Sequence, residues 1–232
     1  MPRTAALIPA AGRGLRAGGD RNKLLLPLEG QAVILRTVRT LHDHPAVDSV
    51  TVIAAEGDLA QLKRLFRDRG RWPKLQPWAI GGAERQDSVW NGLCALEGDP
   101  PEWVIVHDGA RPFCSVRLLE RVLGALRRDP AAVPVLPIPD TVRRIEAASA
   151  QVIERERLFL TQTPQGFHWS ALLRAHRAAR EQGLRGTDDA QLVEALRLPV
   201  AFVEGEARNI KLTAGMDFQL GAWILANPEW GA

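Results

Sequence analysis

Close to its N-terminus the chain reads PAAGRGLRAGGDRNK over residues 9–23, where small residues alternate with Arg13, Arg16, Arg21 and Lys23. Glycine and alanine let a ligand come close to the backbone, and N–H groups flanked by cations suit a polyphosphate. The spacing Gly12-x-Gly14-x-x-Ala17 fits a dinucleotide fingerprint. That fingerprint opens directly into a helix, however, and here the helical pattern starts only near Ala32. A Walker A loop is excluded, since no Gly-Lys-Ser/Thr follows. Two later stretches have a similar make-up: GGAERQDS at 81–88 and HDGARP at 107–112. Asp108 offers a carboxylate to a substrate hydroxyl or a nearby magnesium ion, and Arg111 a guanidinium fork to a phosphate. His107 reads as a core or hydrogen-bonded residue rather than a base. Cys94 reads as core packing on the buried face of its helix. His42, His44, His168 and His176 make no metal-binding spacing, and His42 and His44 would point apart on a helix. With no Ser-His-Asp or Cys-His set and no matched carboxylates, the chemistry is expected to be electrostatic, without an enzyme nucleophile.

These loops need strands to hold them. Residues 4–9, 48–56, 75–82, 102–112 and 131–139 read as buried strands with their exits, the last as AAVPVLPIP. Helical periodicity lies between them at 32–44, 59–69, 85–98 and 116–128, with Val33, Leu35, Val38 and Leu41 near one face of the first. This alternation predicts an α/β fold, a Rossmann-like, doubly wound and mostly parallel sheet. The three charged loops then gather beyond the carboxyl ends of the first, third and fourth strands, where such sheets bind ligands. Residues 169–182, 187–197 and 214–226 read as further helices, with PVAFVEG before the last as a strand.

The rhythm breaks at 139–163. TVRRIE and VIERERLFLTQT alternate apolar and polar residues around AASA, the pattern of a projecting β-hairpin. A long exposed hairpin is an adhesive edge, so we expect this arm to pair with a second copy of the chain. The whole of 1–232 reads as a single domain carrying 139–163 as its arm.

At 232 residues, 46% hydrophobic and 25% charged, the chain is long enough for a sizeable core. Its two cysteines cannot form a disulfide framework and point to a reducing, cytoplasmic setting. No secretory leader is expected from the opening residues, and no apolar run near 18 residues occurs, so no membrane partner is expected. The net charge is only +3, and the basic run KRLFRDRGRWPK at 63–74 fits a solvated helix end. Without an aromatic RNP motif or zinc knuckle beside it, no nucleic-acid partner is expected.

The motifs PAAGRGLR…NK, GGAERQDSV, HDGARPF, DT, TQTPQGF, TDDAQLVE and VEGEARNIKLT occur in this order over nearly the whole chain. Together they resemble the 2-C-methyl-D-erythritol 4-phosphate cytidylyltransferases of non-mevalonate isoprenoid biosynthesis. The resemblance implies a nucleotidyltransferase-type fold and CMP transfer from CTP to methylerythritol phosphate, with release of pyrophosphate. It implies Mg²⁺ carried mainly by the CTP phosphates, with no metal ligand assigned to the protein, and a homodimer built through the arm. By the same resemblance Arg16 and Lys23 stabilise the transition state. Ala10, Ala11, Gly12 and Gly14 form the nucleotide's close-approach backbone, and Gly82, Arg85 and Ser88 read the cytosine. Asp108, Arg111, Thr141, Arg155, Thr163, Thr187 and Lys211 are implied to bind the second substrate, with Thr141 and Arg155 acting across the dimer. Two departures stand out: Ala17 where the family often has Met, and Asn22-Lys23-Leu24 where many members have Pro-Lys-Gln. The sequence closes in NPEWGA, and no fused cyclodiphosphate synthase domain is expected. A ribitol-5-phosphate cytidylyltransferase and a non-catalytic nucleotide-binding protein are the alternatives.

Overall fold

The computed structural model describes residues 2–12, 22–76, 78–147 and 149–231. In chain order the elements are β1 (Thr4–Pro9), β2 (Pro27–Leu28), β3 (Gln31–Ala32), α1 (Val33–Asp43), β4 (Ser49–Ala54), α2 (Glu56–Arg67), β5 (Ala79–Ile80) and α3 (Arg85–Leu96). They continue with β6 (Trp103–Val106), α4 (Val116–Ala125), β7 (Ala131–Pro137), β8 (Val142–Glu146), β9 (Ser149–Ile153), β10 (Phe159–Thr161) and β11 (Gln165–His168). The chain closes with α5 (Trp169–Gln182), α6 (Asp189–Ala195), β12 (Ala201–Glu204) and α7 (Gly215–Ala226).

The main sheet is mixed. β6, β1, β4 and β5 run parallel in that order, β11 lies antiparallel between β6 and β7, and β12 runs parallel on the far side of β7. Strand alternation sends one set of side chains to each face. Ala6, Ile8, Val50, Val52 and Ile105 pack under the first, second and fourth helices, beside Leu35, Leu62 and Leu118. Ala5, Leu7, Ile53, Val104 and Val106 pack on the other face with Leu93, Leu172 and Val193 of α3, α5 and α6. Two cores on one sheet are what the predicted double winding requires.

The third helix lies very close to the sheet. A Cβ added at Gly92 would fall 2.6 Å from Ile53 Cδ1 and 3.2 Å from Leu7 Cδ2, so the missing side chain is what permits the contact. Val89, Gly92, Leu93 and Leu96 form its buried face. Cys94 was expected on that face and is instead exposed, since it sits one position beyond Leu93 and turns about 100° away. Along the second helix and the basic run, Leu62 and Phe66 bury while Lys63, Arg64, Arg67 and Arg69 face solvent.

The arm differs from expectation in extent. β8 and β9 form a separate antiparallel ladder from Val142↔Ile153 to Glu146↔Ser149, so Ser149 and Ala150 belong to the strand and not to the turn. The run 152–163 does not stay in the hairpin. After a 3₁₀ turn at Arg155–Arg157, Phe159–Thr161 joins the main sheet against Val135–Pro137.

Candidate functional site

A pocket of about 410 Å³ opens where the exits of β1, β5 and β6 converge. Pro9, Ala11 and Gly12 line it from the first exit, Gly82, Ala83, Glu84, Arg85 and Ser88 from the third, and Asp108, Gly109 and Ala110 from the fourth. Lys23, Leu24 and Lys211 complete the wall. The first and third exits touch: a Cβ on Gly81 would fall 2.3 Å from Ala11 Cβ and 3.0 Å from Ser88 Oγ. Ser88 Oγ accepts the Gly82 N–H at 3.1 Å and donates to the Glu84 carbonyl. Asp87 Oδ2 accepts the Glu84 N–H at 3.3 Å at the start of α3, and Arg85 follows in the first helical turn, on the pocket wall.

Asp108 is the electrostatic centre. Its Oδ1 accepts from Arg85 Nε at 3.1 Å and its Oδ2 from Lys211 Nζ at 2.6 Å. Burial alone would raise its pKa, but the Arg85 and Lys211 charges outweigh that and hold it well below the usual carboxylate range. Arg85 extends the chain of charges, its Nη1 donating to Asp189 Oδ2 at 2.7 Å. Burial opposes the guanidinium charge, and the two carboxylates more than restore it, so its pKa is raised. His176, fully buried on the fifth helix, donates through Nε2 to Asp189 Oδ1 at 3.0 Å, since an ionised carboxylate only accepts. Asp189 is likewise held low: burial would raise it, and Arg85 and His176 lower it further than that.

A second network braces the β6 exit. His107 Nε2 donates to the Arg111 carbonyl at 3.0 Å, which leaves Nδ1 to accept from the Thr163 hydroxyl at 3.1 Å. Thr163 Oγ1 in turn accepts the Asp108 N–H at 3.0 Å. Burial pushes the His107 imidazole down to about 4, against the opposing pull of the Arg111 carbonyl. Arg111 Nη1 donates to the Asn209 carbonyl at 2.7 Å, and Asn209 Nδ2 to the Thr163 carbonyl at 2.8 Å. Thr37 of α1 fastens the same loop from the other face, donating to the Gly109 carbonyl at 2.8 Å.

The structure thus brings together Ala11, Gly12, Lys23, Gly82, Arg85, Ser88, Asp108 and Lys211. Ala10 lies just behind them, buried, with its N–H on the Ile53 carbonyl. Thr163 sits beneath the wall, and Arg111 spans from the same loop to Asn209. Thr187 is exposed and binds Gln191 at the start of α6. Thr141 and Arg155 stand at the foot of the arm, outside the pocket lining, with Arg155 donating to the Pro139 carbonyl. Arg16 and Gly14 lie outside the described residues, as do Arg13, Ala17 and Arg21. Sequence reasoning did not single out Asp189 and His176. The signals were an Asp-Asp pair opening a helix and a histidine at helical spacing from Leu172 and Ala179.

A family profile described as "IspD: 2-C-methyl-D-erythritol 4-phosphate cytidylyltransferase" matches residues 4–227. The enzyme of that name from Synechococcus elongatus is 42% identical over 228 residues, covering 97% of each chain. Among solved structures, the cytidylyltransferase of that name from Thermus thermophilus aligns with a TM-score of 0.78 at 36% identity, over 97% of this chain and 100% of the other. The 4-diphosphocytidyl-2C-methyl-D-erythritol synthase of Anaerococcus prevotii aligns at 0.84 with 27% identity, over 97% and 99%.

Proposed function

The chain belongs to the 2-C-methyl-D-erythritol 4-phosphate cytidylyltransferase family, and on that premise we propose that its pocket transfers CMP from CTP to methylerythritol phosphate. The observation that carries the reading is the convergence of Gly12 and Lys23 after β1, Arg85 after β5, Asp108 after β6 and Lys211 after β12 on one cavity. Three cations facing two carboxylates give that cavity a positive excess, suited to two polyanions.

The phosphate of methylerythritol phosphate attacks the α-phosphorus of CTP in line. A new P–O bond forms as the bond to the β-phosphate oxygen breaks, and pyrophosphate leaves. A phosphate monoester is already largely dianionic near pH 7, with a second pKa of about 6, so no protein base has to take a proton. Charge builds on the α-phosphate oxygens and on the departing group, and fixed cations supply the stabilisation. In this reading Lys23 and Arg16 provide it, Ala10, Ala11, Gly12 and Gly14 admit the nucleotide to the backbone, and Gly82, Arg85 and Ser88 face the base. Asp108, Arg111, Thr163, Thr187 and Lys211 hold the second substrate.

Magnesium ion is proposed to enter on the CTP phosphates. Among the described residues no group of three His, Cys, Asp or Glu side chains gathers to hold a cation by itself. An ion of this kind keeps several waters and binds one or two carboxylates plus substrate phosphates. Glu84 and Asp108 are the carboxylates bordering the pocket, and the bound ion would neutralise charge on the phosphates.

We assign the arm to a homodimer. Ile145 is 78% and Val152 51% exposed on a ladder with no sheet partner among the described residues, an apolar edge that a second copy would cover. Thr141 and Arg155 would then reach the neighbour's pocket. Free Cys94 and Cys114 support a reducing, cytoplasmic setting, and no described helix is long and apolar enough to cross a membrane.

The test is pyrophosphate release from CTP and Mg²⁺ with methylerythritol phosphate or ribitol 5-phosphate as acceptor. Faster turnover with methylerythritol phosphate is expected. Faster turnover with ribitol phosphate would move the substrate assignment, and CTP binding without turnover would remove the catalytic one.

A further inference from the structure

Asn22 is buried and directly precedes Lys23 and Leu24 of the pocket wall. Its Nδ2 donates to the Ala10 carbonyl at 3.1 Å and to Asp58 Oδ2 at 2.8 Å, and its Oδ1 accepts the Leu24 N–H at 3.0 Å. A carbonyl and a carboxylate only accept and a backbone N–H only donates, so these partners admit one orientation of the amide. Both amide hydrogens and the carbonyl oxygen are engaged. The partners come from three places: the end of β1, the first turn of α2, and the 3₁₀ turn at Lys23–Leu25 that carries the lysine.

A lysine is a point charge on a flexible four-carbon stem, so the precision of its placement must come from its backbone and neighbours. A misplacement of about 1 Å can cost on the order of 10²-fold in rate. Leu24, only 4% exposed, anchors the turn on its apolar side, and Asn22 anchors the polar side. We infer that Asn22 is a positioning residue: it locks the backbone entering Lys23 to the strand end that admits the nucleotide. The inference rests on the reading of Lys23 as the cation acting on the α-phosphate.

The backbone of Asn22, at φ −60° and ψ 113°, suggests how to separate positioning from mere packing. Proline fixes φ near −65° without any side-chain hydrogen bond. Asn22→Ala and Asn22→Pro are compared with the parent by steady-state pyrophosphate release from CTP and methylerythritol phosphate, with thermal unfolding in parallel. Asn22→Ala is expected to lower kcat by about 10- to 100-fold, with KM for both substrates within about threefold. Asn22→Pro is expected to recover at least tenfold of a hundredfold loss. The inference is overturned if Asn22→Ala keeps kcat within twofold, if its loss lies wholly in KM, or if Asn22→Pro is no better than Asn22→Ala.

Hydrogen exchange at the Leu24 amide gives a readout that does not need turnover. Asn22→Ala should accelerate it tenfold or more, and unchanged exchange would count against the anchor. If the parent released no pyrophosphate while Leu24 exchange still responded, the assigned reaction would fail and the anchor would stand.

Discussion

The pocket and the arm are built by opposite means. Around the pocket, Lys211, Asp108, Arg85, Asp189 and His176 form an unbroken file of alternating charges and donors drawn from five different segments. In the arm, β8 and β9 are held by a backbone ladder, and nearly every side chain faces solvent. Buried ion pairs tolerate little change, because removing one partner leaves the other charged and dry. An isolated two-stranded hairpin is marginal in water and depends on what it packs against. The two regions differ in where their order originates: the pocket's is internal, whereas the arm, in the dimer proposed above, would draw its own from a second copy.

The largest expected effect lies in the file. Asp189→Asn removes the carboxylate that Arg85 and His176 share and should destabilise the fold by about 3–5 kcal/mol. At about 2–4 °C per kcal/mol for a chain of this size, calorimetry should show a midpoint lowered by roughly 10 °C. A drop of a degree or two would mean that the pocket's order does not depend on the file. Next comes Lys23→Ala, a partly exposed wall residue. It should leave the unfolding midpoint near the parent's while pyrophosphate release slows by about 10²–10³-fold.

The third prediction uses pH. In the folded chain His107 is pushed down to about 4, against about 6.5 when unfolded. Between those values the unfolded state binds more protons, so stability is complete above about pH 6.5 and falls as pH drops toward 4. The loss is about 3 kcal/mol at roughly 1.4 kcal/mol per pH unit, and urea unfolding at pH 4.5 and 7 measures it. Asp108 and Asp189, both held low, act further down: their contribution is present above about pH 4 and is lost below it. His107→Gln should flatten the upper part of the profile.

The smallest effect on the single chain is expected in the arm. Ile145→Asp should change stability by no more than about 0.5 kcal/mol, as for surface substitutions generally. In sedimentation it should nonetheless shift the chain from dimer toward monomer. A variant that stays dimeric would end the contrast drawn above. Amide exchange sharpens it: residues 142–153 should exchange faster than 103–106 in the monomeric variant and approach them in the dimer.

The sequence was most informative where chemistry and backbone geometry coincide. The loops at 9–23, 81–88 and 107–112 carry glycines and charges together, the make-up of a ligand pocket, and the double winding followed from two periods in alternation. What was hidden depends on packing at a distance. Asp189 and His176 look like an ordinary helix start and an ordinary core histidine until Arg85, far away in sequence, arrives between Asp108 and Asp189. The division of 152–163 was equally opaque. Its apolar–polar alternation runs through both the hairpin and the main sheet, and only the ladder with Val135–Pro137 tells them apart. Cys94 shows the ±1 sensitivity of helix faces, where one position turns a core thiol into an exposed one.

Gly92 sets an alignment tolerance. The helix that offers Arg85 to the cavity rests on the sheet at this glycine, about two turns from Arg85. A methyl group added there would act as a shim. Ile53 would have to give way, or the helix would rise and tilt its N-terminal end, with the guanidinium on it. The placement of Arg85 on the pocket wall is therefore adjustable from a position outside that wall. A library confined to the cavity wall would miss that adjustment.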